Sequence, residues 1–141
     1  MPQNTPKPVG GLTAYVNIDG AAEASAFYQR AFGASEQMRL PDKDGKRLLH
    51  CQLRINGGDL LISDIFPEMG MSREAPANLT LHLQVDDIDA WWKRAADAGA
   101  TVVSPVQQMF WGDRYGVLKD PFGVQWSMGQ TVAEFQPPKW D

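Results

Sequence analysis

His50 and His82 are the side chains best equipped for proton chemistry near neutral pH. Each sits in an alternating run. In "NLTLHLQVDD", Leu79, Leu81, Leu83 and Val85 alternate with Thr80, His82 and Gln84. In "LHCQLRI", Leu49, Cys51, Leu53 and Ile55 alternate with His50, Gln52 and Arg54. A period of two predicts a β-strand with one apolar and one polar face. An imidazole on the polar face can hydrogen-bond a ligand or exchange a proton with it. It can also enter a metal site, given a carboxylate such as Asp64, Glu68 or Asp113. The two histidines are therefore the candidates for any catalytic role. Cys51 falls on the apolar face and reads as a small buried hydrophobe rather than a nucleophile. No Ser-His-Asp order, Walker loop or Rossmann glycine pattern is present.

The same alternation extends the polar set. Leu12, Ala14, Val16 and Ile18 oppose Thr13, Tyr15 and Asn17, and Val124, Trp126 and Met128 oppose Gln125 and Ser127. A wet sheet face usually carries many Lys and Glu. Here Thr13, Tyr15, His50, Gln52, Thr80, His82 and Ser127 offer mainly neutral hydrogen-bonding groups, which suits a partly enclosed pocket for a small organic ligand. The stretch "QQMFWGDRYG" adds Phe110 and Trp111 as candidate cavity walls, with a turn expected at Gly112. Arg114 has two readings: a fork for an anionic or oxygen-rich ligand, or the partner of a protein carboxylate.

The elements that must position these groups are written twice. "VNIDGAAEASAFYQRAFGA" parallels "LQVDDIDAWWKRAADAGA": a strand end, an acidic or glycine cap, an amphipathic helix and a Gly-Ala stop. Arg47 and Arg114 recur at the same offset of 67 residues as the strand ends. Each half reads as βαβββ. The expected division is a lead-in over residues 1–11, a first module over 12–63, a connector over 64–78, a second module over 79–129 and a tail over 130–141. Trp91 is expected in the core and Trp92 at a dimer contact.

Bulk properties exclude several classes. The 141 residues suffice for one structural domain, and 43 % of them are hydrophobic. A net charge of −4 without any basic run argues against nucleic acid. No window approaches the roughly 18 apolar residues of a membrane span. The polar, Pro-rich start "MPQNTPKPVGG" lacks a signal-peptide core, and one cysteine forbids an intrachain disulfide, so a cytoplasmic protein is expected.

The segments "AAEASAFYQRAFGA", "LHCQLRINGGDLLISD", "TLHLQVDD" and "FWGDRYGVLKDPFGVQW" resemble the vicinal oxygen chelate superfamily of glyoxalase I, bleomycin-resistance proteins and extradiol dioxygenases, and within it the PhnB-like branch. The resemblance implies an α+β fold of two tandem βαβββ modules. These would form a curved mixed sheet, a half-barrel, around a central cavity, commonly in a homodimer. Metal-using members place a His on each module's first strand and a Glu near the end of its last. Thr13 and Thr80 stand at the expected His positions, and Ile62 and Ser127 near the Glu positions. The usual metal site is thus expected to be absent and no cofactor is expected. The resemblance implies a metal-independent small-molecule binder. The alternatives are a lyase, isomerase or dioxygenase using a divalent metal displaced to His50 or His82, and an assembly or regulatory protein with a vestigial cavity.

Overall fold

The structure is a computed structural model that describes residues 12–74 and 78–135. The first module runs β1 (Ala14–Asn17), α1 (Ala21–Phe32), β2 (Ser35–Pro41), β3 (Leu48–Ile55) and β4 (Gly58–Ser63). A short 3-10 turn, Pro67–Met69, interrupts the connector. The second module runs β5 (Thr80–Gln84), α2 (Ile88–Ala98), β6 (Thr101–Gln108), β7 (Asp113–Lys119) and β8 (Gln125–Thr131). The last strand thus runs two residues past the expected boundary at 129.

The two sheets have one topology, β1-β4-β3-β2 and β5-β8-β7-β6. In each, the first strand pairs parallel with the last and the other pairs are antiparallel. The expected α+β fold of tandem βαβββ modules is present. Among the described residues, strand pairing stops at the module boundary, so the mixed sheet is two separate four-stranded sheets.

Packing, rather than strand pairing, joins the modules. α1 and α2 pack on each other, and the apolar faces of both sheets share one core. Its aromatic centre crosses the boundary: the Phe32 and Trp126 ring centroids lie 4.5 Å apart and those of Tyr28 and Trp126 5.3 Å. Beneath them the buried carboxylate of Asp120 accepts from the Tyr28 hydroxyl at 2.6 Å and from Trp126 Nε1 at 2.9 Å. It also accepts from the backbone N–H groups of Phe122 and Val124. Burial first, and the Asp120 charge second, push the Tyr28 phenol far above its ordinary value.

Each helix stops on a left-handed glycine, Gly33 at φ 65° and Gly99 at φ 116°. The starts differ. Asp87 caps α2 itself, accepting from Ala90 N at 3.2 Å. Gly20 brings no side chain to α1. Asp64, buried at the end of β4, accepts instead from Gly20 N at 2.9 Å, Ala21 N at 3.2 Å and Leu48 N at 2.6 Å.

Three apolar expectations are corrected. Leu12 and Leu79 precede their strands and are exposed. Leu49 is also exposed, because the β2–β3 register slips between Leu40 and Pro41 and turns Leu48 into the core instead. Trp92 is half-buried, and its indole lies over Gly116, where an added Cβ would stand 2.6 Å from the ring.

Candidate functional site

Because both apolar faces meet one core, the polar faces of the two sheets turn away from it. The candidate residues fall into two groups, one per module.

On the first face Tyr15 (β1) and His50 (β3) stand side by side, with the Tyr15 hydroxyl 3.0 Å from His50 Nδ1 and the ring centroids 5.5 Å apart. Asn17 Nδ2 donates to Ser63 Oγ at 2.7 Å, and the Ser63 hydroxyl donates to the Asp64 backbone carbonyl at 2.9 Å. Gln52 is half-buried and donates to Asp59 Oδ2 at 3.2 Å. Thr13 is exposed just before β1.

On the second face His82 (β5) is held at both ring nitrogens. Nδ1 lies 2.7 Å from Ser127 Oγ and Nε2 2.8 Å from Gln84 Oε1. Gln84 Nε2 donates to Asp113 Oδ2 at 3.2 Å and to Thr131 Oγ1 at 3.0 Å. Tyr115 stacks beside His82 at 6.0 Å and 23°, and Trp111 meets Tyr115 edge-on at 5.6 Å. Phe110 is exposed and packs against Trp111 at 5.1 Å. Thr80 opens β5, accepting at Oγ1 from Gln125 Nε2 at 2.8 Å. The bend that brings Trp111 here depends on Gly112, at φ 96° and pressed against the Ala133 carbonyl.

Arg114 does not belong to this face. It pairs with Gln130 in the β7–β8 register, one step out of phase with Tyr115, so it points to the helix side. Its two terminal nitrogens hold the two Asp89 oxygens on α2 at 2.8 and 3.0 Å. Those bonds hold the Asp89 carboxyl below its ordinary value. Of the two readings, the protein-carboxylate partner is the one observed. Cys51 is buried, with its thiol pushed up to about 11 by burial and then by the neighbouring Glu36.

Register relates the two faces. Tyr15 pairs with Leu61 as His82 pairs with Ser127, and Asn17 pairs with Ser63 as Gln84 pairs with Gly129. The antiparallel ladders place His50 where the second module has Tyr115. Each face thus carries one His and one Tyr on the two strands that flank the module's last strand, with the two exchanged between modules. Gln84, Tyr115, Asn17 and Gly129 were absent from the expected site. The alternation around His82 already placed Gln84 beside it, whereas Tyr115 needed the β7–β8 register.

The superfamily's metal donors are not reproduced by these residues. Thr13 and Thr80 offer hydroxyls, and Ile62 is fully buried in the core. The register makes Leu61, not Ile62, the counterpart of Ser127, and neither supplies a carboxylate. No group of three or more His, Cys, Asp or Glu side chains is placed to hold an ion among the described residues.

The model of the Glyoxalase/Bleomycin resistance protein/Dioxygenase superfamily matches residues 12–128. The chain belongs to this superfamily. Within it, the chain is 47% identical over 129 residues to an uncharacterized protein of Mycobacterium tuberculosis (strain ATCC 25618 / H37Rv), covering 87% of this chain and 75% of that one. The PhnB protein of Bacillus cereus has the same fold, with a TM-score of 0.66 at 18% identity over 86% of this chain and 99% of that one. TnmS3, an antibiotic binding protein from Streptomyces sp. CB03234, superposes with a TM-score of 0.63 at 25% identity, over 89% of this chain and 99% of that one.

Proposed function

We propose that this superfamily member binds a small organic molecule without a metal, through the polar sheet faces that carry Tyr15–His50 and His82–Tyr115. One observation carries the reading: neutral hydrogen-bonding groups and aromatic rings converge on one sheet face around His82, with Trp111 at its edge. A planar ligand can stack on such rings and hydrogen-bond their neighbours, each stacked pair contributing about 0.5–1.5 kcal/mol beyond area burial. The hydroxyl and alkyl side chains at the superfamily's metal positions support binding over metal chemistry. TnmS3, similar in sequence and fold, is an antibiotic binder.

A second copy of the chain fits as the partner that encloses these faces. Leu12, Leu40, Leu49 and Leu79 are exposed, and the first strands β1 and β5 are edges within the chain.

The test titrates purified protein with neutral fused-ring aromatic compounds while following Trp fluorescence, and measures metal content alongside. The expected result is saturable quenching, substoichiometric metal, and affinity weakened about tenfold by H82A, the equivalent of roughly 1.4 kcal/mol. Stoichiometric metal lost in both H50A and H82A variants would replace this reading with the divalent-metal enzyme. Saturable binding that ignores H82A and Y15F would move the ligand elsewhere.

A further inference from the structure

The hydrogen bonds around His82 form a chain with a fixed direction. Asp113 is a carboxylate and can only accept, so the Gln84 group facing it must be the amide nitrogen. That nitrogen spends its second proton on Thr131 Oγ1. The Gln84 oxygen is thereby turned to His82, and His82 Nε2 must donate to it. In the neutral ring Nδ1 is left with a lone pair, and the Ser127 hydroxyl, 2.7 Å away, donates to it.

A second observation supports the same assembly. An added Cβ on Gly129 would stand 2.8 Å from Gln84 Oε1 and 3.1 Å from both Asp113 Oδ2 and His82 Cε1. Gly129 carries no positive φ, so its role here is space: the three groups converge over a position that only a glycine leaves open. In the first module Ser63 stands at the matching position, and no such chain forms there.

We propose that Asp113 and Gln84 are positioning residues that lock His82 in the Nε2–H tautomer and aim the Ser127 proton at Nδ1. This rests on the reading of the His82 face as a ligand wall and specifies what that wall offers. With both nitrogens engaged, a ligand meets the flat faces of His82 and Tyr115 rather than a free imidazole nitrogen. A metal ion reaching either nitrogen would first have to break a bond of the chain.

Long-range proton–nitrogen spectra of the full chain, labelled with 15N and kept where both imidazoles are neutral, test this without any ligand. The H50Q variant assigns the His82 signals. Wild type is expected to show His82 as the Nε2–H tautomer with a detectable, slowly exchanging ring proton. D113N frees the Gln84 amide to turn, so a second tautomer is expected. Q84L is expected to lose the protected ring proton, and S127A to keep the tautomer, because direction is set from the Asp113 end. Backbone spectra identify any variant that does not fold, and D113N, nearly isosteric, then carries the test. An Nδ1–H tautomer in wild type overturns the proposal. So does a tautomer and a protected proton that survive D113N and Q84L unchanged, or a tautomer that switches only in S127A. Failure to take up aromatic compounds would defeat the binder reading and leave these spectra unaffected, so the two failures are distinguishable.

Discussion

The two modules share topology, register and helix stops but solve the same polar problems differently. At the helix start, α1 borrows the buried carboxylate of Asp64, whereas α2 is capped by its own Asp87 and finds only a neutral acceptor at the matching strand end, Ile88 N donating to Gln130 Oε1 at 2.8 Å. On the polar face, the first module places Tyr before His and the second places His before Tyr. The first face's hydrogen bonds end on a backbone carbonyl, at Asp64, whereas the second face's end on a side-chain carboxylate, Asp113. The difference teaches where specialisation lies. In the first module Asn17, Ser63 and Asp64 tie the sheet to the helix start and loop, whereas in the second His82, Gln84 and Asp113 form a chain on the open face.

The strongest way to break this comparison is to cut what joins the modules. D120A would strand the Tyr28 hydroxyl and the Trp126 indole in the core and free two backbone N–H groups, at a cost of about 3–5 kcal/mol. Urea unfolding should show this loss, and a cost below that of an ordinary surface substitution would mean that the modules do not depend on the shared carboxylate.

The next effect separates the two helix starts. D64A removes three backbone hydrogen bonds and should cost about 2–3 kcal/mol, whereas Q130A removes one and should cost about 1. Equal losses in denaturant melts would erase the proposed asymmetry.

G129A sharpens the comparison of the faces. The new methyl would press on Gln84, Asp113 and His82 and should cost about 1–2 kcal/mol, with the His82 resonances displaced and those of His50 in place. S63A, its counterpart, should instead disturb Asn17. Disturbance of both faces by either variant would show them to be one coupled unit.

The smallest effect is kinetic. With its thiol pushed up to about 11 by burial and Glu36, Cys51 should react with an aromatic disulfide reagent at least roughly tenfold more slowly in the native than in the denatured chain. Native reactivity equal to the denatured value would mean that the first module opens freely.

The fold was legible because the signals were local. Period-two strands, glycine stops at Gly33 and Gly99, and the doubled order of elements depend on neighbours in the chain. The polar faces were legible for the same reason, since alternation alone puts Tyr15 with Asn17 and His82 with Gln84. What escaped depended on contacts distant in sequence. Arg114 offered two partners on paper, and only the β7 register turned it toward Asp89. Tyr115 joined His82 through strand pairing, and a register slip in β3 exchanged Leu48 for Leu49. The bond between Tyr28 and Asp120 spans 92 positions and had no local trace.

The most direct test maps where a ligand sits. Neutral fused-ring aromatic compounds added to 15N-labelled protein should shift His82, Tyr115 and Trp111 together, with weaker shifts at Tyr15 and His50. A groove of about 570 Å³ also opens between α1 and α2, lined by Arg30, Lys93 and Arg94. Shifts confined to that groove, or no saturable shifts at all, would contradict the assignment of the polar sheet faces as the binding surface.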